Sequence, residues 1–143
     1  MKRQIFGCLM ALGMIWGTRA SATDLYVPSQ YGTIAAAIDA ATTGDTVWVA
    51  DGTYTGTGNK NLTWSGKDIT VRSENGPEKC IIDCEYSGRG FIFNNPGQNT
   101  TSIIKGFTIK NGRGGNGAGI YCSNSSLTIT NCIITENATP HNW

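Results

Sequence analysis

Hydrophobic and polar positions along the chain fall into two regimes that meet near Thr42. In Thr33-Ile34-Ala35-Ala36-Ala37-Ile38-Asp39-Ala40-Ala41, the residues Ile34, Ile38 and Ala41 share one side of a helical period, with helix-favouring alanines between them. This pattern predicts a short amphipathic helix. Beyond Thr42 the apolar residues come in brief alternating runs broken by Gly and Asn, the signature of strands and turns.

These runs recur. The pair Val47 and Val49 returns as Ile69 and Val71, and at the same interval again as Phe91 and Phe93. A second series runs Ile82, Ile104 and Ile129 at nearly equal steps, and a third pairs Phe107 with Cys132 and Ile109 with Ile134, again at a shared step. Three apolar series at one period predict three faces. A period of about 20–30 residues carrying short strands, with no helix between them, indicates a parallel β-solenoid rather than an antiparallel sandwich. A leucine-rich repeat is excluded, since after Ala22 the only leucines are Leu25, Leu62 and Leu127. The first turn of a solenoid has an open core and an exposed edge, and the helix stands where a cap is required.

The beginning of the chain sets the expected compartment. Lys2 and Arg3, the apolar stretch from Ile5 to Trp16 and the small residues Ala20-Ser21-Ala22 are the three regions of a secretory signal, in order. Cleavage is expected after Ala22. The chain then divides into a signal peptide (1–22), an N-terminal segment with the capping helix (23–45) and solenoid coils (46–143). Gly7 and Gly13 interrupt the apolar stretch, and no later run approaches about 20 apolar residues, so no membrane span is expected. Cys8 is too far from the cleavage site to suit a lipid anchor. Without Lys2, Arg3 and Arg19 the chain has 8 basic and 10 acidic residues, a net charge of −2. The basic residues from Lys60 to Arg113 are scattered singly, which excludes the clustered Lys and Arg of a nucleic-acid interface. Cys80, Cys84, Cys122 and Cys132 are bound for an oxidising compartment, where pairing is open to them. The 19 glycines and frequent Asn, Ser and Thr leave few large apolar side chains, which suits a core shared between stacked units.

The stretch from Thr33 to Thr43 followed by Gly44-Asp45-Thr46-Val47-Trp48-Val49-Ala50-Asp51-Gly52-Thr53-Tyr54 resembles the opening of pectin-lyase-like β-helix proteins. Gly106-Phe107-Thr108-Ile109-Lys110-Asn111-Gly112, Gly117-Ala118-Gly119-Ile120-Tyr121-Cys122 and Leu127-Thr128-Ile129-Thr130-Asn131-Cys132 are similar to coil repeats of secreted right-handed β-helix proteins. The resemblance implies an all-β, right-handed parallel β-helix with a short N-terminal capping α-helix. Family members usually have more coils, so a C-terminally truncated helix is expected, monomeric in its complete form. It implies an extracellular, cell-surface or periplasmic location and a polysaccharide or cell-surface glycan as partner. The superfamily includes lyases, glycoside hydrolases, esterases, epimerases and non-enzymatic surface proteins, so the resemblance speaks to fold more than to activity. The function it implies is polysaccharide-associated, either binding or as part of a lyase, glycoside hydrolase or carbohydrate esterase whose catalytic coils lie further along. Gly117-Ala118-Gly119-Ile120 and Ile134-Thr135-Glu136-Asn137 are also similar to repeats of polymorphic outer-membrane proteins, which gives a non-catalytic surface or adhesion protein as the alternative.

Candidate chemistry is sparse, and the catalytic residues are not identified. Asp83, Glu85 and Arg89 are the densest charged group on a predicted coil, and Asp83 with Arg89 can in principle supply a base and a charge-stabilising cation for an acidic sugar. As ordinary turn residues they need no such role, and that reading is favoured. Trp48 and Trp64 are candidates for stacking on sugar rings, Trp48 because it alternates out of phase with Val47 and Val49. Asp45 and Asp51 suit tight corners before or beside glycine, with a calcium site as the alternative; no clustered Asp motif accompanies them, and no other cofactor or metal is expected. The run Gly112 to Gly119 lacks the Lys-Ser/Thr of a phosphate loop and reads as a flexible turn. His141 lies in the tail. Asn61, Asn99, Asn124 and Asn137 begin Asn-x-Ser/Thr triplets at a frequency that chance explains. Cys80 and Cys84 lack partner ligands for a metal, and Cys122 and Cys132 fall on inferred strands. No acid, base and cation converge, so polysaccharide cleavage by this chain is not expected.

Overall fold

The computed structural model describes residues 21–94 and 101–139. The segment 1–20, which contains Cys8 and most of the expected signal, lies outside the described residues, as do Asn99 and the tail with His141. The elements run β1 (Asp24–Val27), α1 (Ile34–Ala40), β2 (Thr46–Val49), β3 (Gly52–Tyr54), β4 (Thr70–Ser73) and β5 (Cys80–Asp83). They continue with β6 (Phe91–Phe93), β7 (Ile103–Lys105), β8 (Thr108–Lys110), β9 (Ile120–Cys122), β10 (Thr128–Thr130) and β11 (Ile133–Thr135). All pairings between these strands are parallel. They build a first sheet in the order β1-β2-β4-β7-β10, a second in the order β3-β5-β8-β11 and a third from β6 and β9, which Leu62 extends by a bridge to Phe91. From β2 onward the chain visits the sheets in the same sequence, so the fold is a parallel β-solenoid of about four turns. Among the described residues no helix is long and apolar enough to cross a membrane.

In-register parallel pairing places identical rungs about 4.8 Å apart, so inward side chains must stack on one another. Leu25, Val47, Val71, Ile104 and Ile129 form one ladder, and Tyr54, Ile82, Ile109 and Ile134 form another. Leu62, Phe91 and Ile120 line the third side. Val47, Val71, Ile82, Phe91, Ile104 and Ile109 are completely buried.

The ladders correct the uniform period. Val47 stacks on Val71 rather than Ile69, and the step from Val71 to its partner Ile104 is much longer than the one before it; the step from Ile104 to Ile129 matches the expected spacing. Phe91 and Phe93 belong to the third sheet, and Ile82 stacks on Ile109 rather than Ile104. Turns of unequal length change the sequence spacing between stacked residues from coil to coil, so equal spacing links residues on different faces. Ile109 and Ile134 do stack as their spacing predicts. Cys122 ends β9, whereas Cys132 sits in the corner between β10 and β11.

The helix forms as the alanine-rich pattern predicts. Thr33 caps it, its hydroxyl accepting from the Ala36 N–H at 3.2 Å, and Ile34, Ala37 and Ile38 face the core. At the other end the Lys67 ammonium donates to the carbonyls of Ile38, Asp39 and Ala41 at the exit of the helix, where it complements the helix dipole. The helix connects β1 to β2 in the stretch where later turns carry strands of the second and third sheets. Strand β1 itself is an addition to the sequence pattern: its alternation of Leu25 and Val27 is confined to one short run, and it pairs in register with β2.

Corners between the first two sheets use left-handed backbone at Gly106 and Asn131, with φ of 81° and 50°. A Cβ at Gly106 would come within 2.3 Å of the Ser73 hydroxyl oxygen, so this corner requires glycine. The turn from Gly112 to Gly119 is closely packed at its ends, where a Cβ at Gly112 would lie 2.1 Å from the Ala118 carbonyl oxygen, and open at Gly115, where a Cβ would meet nothing within 4 Å.

The ladder makes the destabilising positions specific. Ile104→Asp is expected to lose about 3–5 kcal/mol by burying an unpaired carboxylate. Lys110→Ala removes only a partly exposed 3.7 Å contact with Asp83 and is expected to lose less than about 1 kcal/mol. Urea unfolding of both variants checks this; equal midpoints would contradict the ladder.

Candidate functional site

Outward residues are aligned by the same register that aligns the core. On the outer face of the first sheet Tyr26, Trp48, Arg72, Lys105 and Thr130 occupy successive rungs. The Arg72 guanidinium lies 4.1 Å from the centre of the Trp48 ring, and the Trp48 indole N–H donates to Asp24 Oδ1 at 2.9 Å. The indole therefore holds Arg72 in place, by an attraction worth about 0.5–1 kcal/mol at an exposed site. The side chain of Lys105, next to Arg72 in register, makes no hydrogen bond or ion pair among the described residues.

Beside these cations is a cleft of about 230 Å³, lined by Arg72, Glu74, Asn75, Lys105, Gly106 and Asn131, among others. Its wall is the insertion between β4 and β5. Asp51 accepts from the Asn75 amide at 3.0 Å, and the Ser73 hydroxyl accepts from the Gly76 N–H at 3.1 Å, so the wall is tied to the preceding coil and to its own strand. Two neighbouring cations and two amide side chains, set against the single carboxylate of Glu74, leave this cleft a net positive lining suited to an anionic group. Sequence reasoning missed it, because Trp48, Arg72 and Lys105 are brought together by two coils of unequal length.

The candidates Asp83 and Arg89 engage different partners. Asp83 Oδ1 accepts from the Glu85 N–H and the Asn111 amide, each at 2.9 Å. Burial raises the pKa of Asp83, but these hydrogen bonds and the nearby Lys110 outweigh it and hold the carboxyl below its usual value. Arg89 donates to the Asn116 carbonyl at 3.2 Å and stands over the Tyr121 ring at 5.2 Å. Glu85 is paired with Lys60 at 2.9 Å, and that bond holds its carboxyl below the usual range. These contacts give each of the three charged residues a structural role.

Trp64 is not an exposed stacking platform. It is 5 % exposed, packs edge-on to Phe93 at 4.8 Å, and donates its indole N–H to the Ser102 hydroxyl at 3.0 Å. Its neighbours come from other coils, so local alternation does not reveal its burial.

A second cleft, of about 280 Å³, opens at the corner formed by Thr43, Gly44, Asp45, Asp68, Ile69, Thr70 and Thr101. Asp45 in its wall is already occupied: Oδ1 accepts from the Thr23 N–H at 2.8 Å, and Oδ2 accepts from the Thr42 N–H at 2.7 Å and the Thr42 hydroxyl at 3.0 Å. The Thr42 N–H is the chief reason that the pKa of Asp45 lies below its ordinary value. With Asp51 held by Asn75, the two aspartates act as corner braces. Among the described residues no group of three or more His, Cys, Asp and Glu is placed to hold a metal ion.

Among the described residues the four thiols are unpaired. Cys80 and Cys84 are buried, Cys132 is half-buried and Cys122 is exposed. Burial is the main cause that pushes Cys80 up to about 12 and Cys84 up to about 11, so both remain protonated and unreactive at neutral pH. The side chains of Asn61 and Asn137 are engaged too, Asn61 accepting from the Arg89 N–H and Asn137 bridging Gly112 and Ile109.

Comparison of the chain with known protein families, with curated proteins and with solved structures gives no match.

In the native protein a thiol reagent is expected to label Cys122 rapidly and to spare Cys80 and Cys84 until the chain unfolds. Peptide mass mapping checks this. Early labelling of Cys80, or a disulfide joining Cys80 to Cys84, would contradict the packing.

Proposed function

We propose that the chain is an exported glycan-binding domain of the pectin-lyase-like β-helix kind, which holds acidic polysaccharide along the outer face of the first sheet. The observation that carries this reading is the ladder Tyr26, Trp48, Arg72, Lys105, with the cleft beside its cations. A polymer with a carboxylate on each sugar presents charges in a row, and the cations Arg72 and Lys105 stand on two adjacent rungs to meet them. Trp48 restrains Arg72 before the ligand arrives, which lowers the entropy lost on binding.

Binding rather than cleavage is the activity supported. Removal of a proton beside a carboxylate needs a base near a cation, and Asp83 and Arg89 are engaged with separate partners. The alternative of a non-catalytic surface or adhesion protein gains support from its motif residues. Asn137 donates to the Ile109 carbonyl and accepts from the Gly112 N–H, and Gly119 gives room for Ile134, so the motif builds coils rather than a reaction centre.

Calorimetric titration with polygalacturonate is expected to show binding that Arg72→Ala weakens about tenfold, with Trp48→Ala acting in the same direction. A neutral glucan should bind much more weakly, and no reducing ends or unsaturated product should form. Equal affinity for neutral and acidic polymers would overturn the reading. Turnover abolished by Asp83→Ala or Arg89→Ala would show that the domain is an enzyme.

A further inference from the structure

The point where the signal is expected to be cut coincides with a carboxylate already in position. Thr23 opens the solenoid: its carbonyl accepts from the Thr46 N–H at 2.9 Å, and its own N–H donates to Asp45 Oδ1 at 2.8 Å. Asp45 is 5 % exposed, and its other oxygen is held by Thr42. In the uncut chain the nitrogen of Thr23 is a neutral amide with one hydrogen. Hydrolysis of the Ala22–Thr23 bond by a signal peptidase adds hydroxyl to the Ala22 carbonyl carbon and hydrogen to the Thr23 nitrogen, which then takes up a proton. The same atom becomes an ammonium with three donors and a full charge.

We propose that removal of the signal creates an ion pair between the new Thr23 ammonium and Asp45, and that this pair locks the N-terminal end of the solenoid. The inference rests on the export reading and is independent of the glycan reading. Asp45 joins three pieces of chain: the start of β1 through Thr23, the exit from α1 through Thr42, and the start of β2, which it immediately precedes. Strengthening this one contact therefore fastens the capping helix and the first strand to the second rung together. Ser21, Ala22 and Thr23 are exposed, so the ammonium keeps water for its remaining donors while the carboxylate is nearly enclosed. The desolvation that makes buried ion pairs weak thus falls mainly on a carboxylate that the fold already buries. Cleavage leaves a processed chain more stable than its precursor, so the last step of export also closes the fold.

The test compares two proteins that begin at Thr23, one with a free amine and one acetylated there, since acetylation keeps an N–H donor and removes the charge. The acetylated form is expected to melt about 3–5 °C lower, and the difference should shrink in high salt. In an Asp45→Asn background the two forms should melt together. Equal melting temperatures in the native background, or the same gap in Asp45→Asn, would overturn the inference. If Asp45→Asn does not fold, the salt dependence decides alone: a gap that high salt leaves unchanged would overturn the ion pair. N-terminal sequencing of the exported chain separates the two levels. A start other than Thr23 removes the expected cleavage site and the inference with it, whereas a start at Thr23 with no effect of acetylation removes the inference alone.

Discussion

In-register parallel pairing is the constraint on which the rest of this structure depends. The strands are too short to be stable alone, and each gains its partners from the coils before and after it. Because the pairing is parallel and unshifted, a residue has the same orientation as its partner on the next rung. Apolar residues at inward rungs become ladders, and polar or aromatic residues at outward rungs become rows. The buried core and the candidate binding face are consequences of one register. Ile104 and Lys105 are adjacent in sequence, yet one is wholly buried in the ladder and the other stands beside Arg72 outside.

The N-terminal end of the stack is organised around the same register. There α1 supplies Ile34, Ala37 and Ile38 to the core, while Lys67 and Asp45 tie its exit to neighbouring coils.

Much of the fold is legible in the sequence because a solenoid writes its architecture locally. Ile34, Ile38 and Ala41 define the helix and its inner face, and the recurrence of short apolar runs marks the stacked strands. The ladders themselves are less legible. Val71 and Ile104 are partners across a coil longer than its neighbours, and a fixed period has no means of detecting such an insertion. The candidate binding face is hidden for the same reason, since Trp48, Arg72 and Lys105 become neighbours only when the register is known. Trp64 reads as a surface candidate in the sequence because its burial depends on Ser102, Phe91 and Phe93 from later coils. Asp45 is recognisable as a corner residue, but its link to Thr23 crosses the whole first coil and leaves no local sign.

Amide hydrogen exchange resolved by residue tests the register most directly. Among the described residues, strands β4 and β7 have a paired neighbour on both sides, with Val71 and Ile104 at their inward rungs. Slowest exchange is expected at Val71 and Ile104, with little protection at Gly115 and Asn116 in the exposed turn between coils. Protection at Val71 and Ile104 no greater than at Gly115 and Asn116 would contradict an ordered pile of in-register coils.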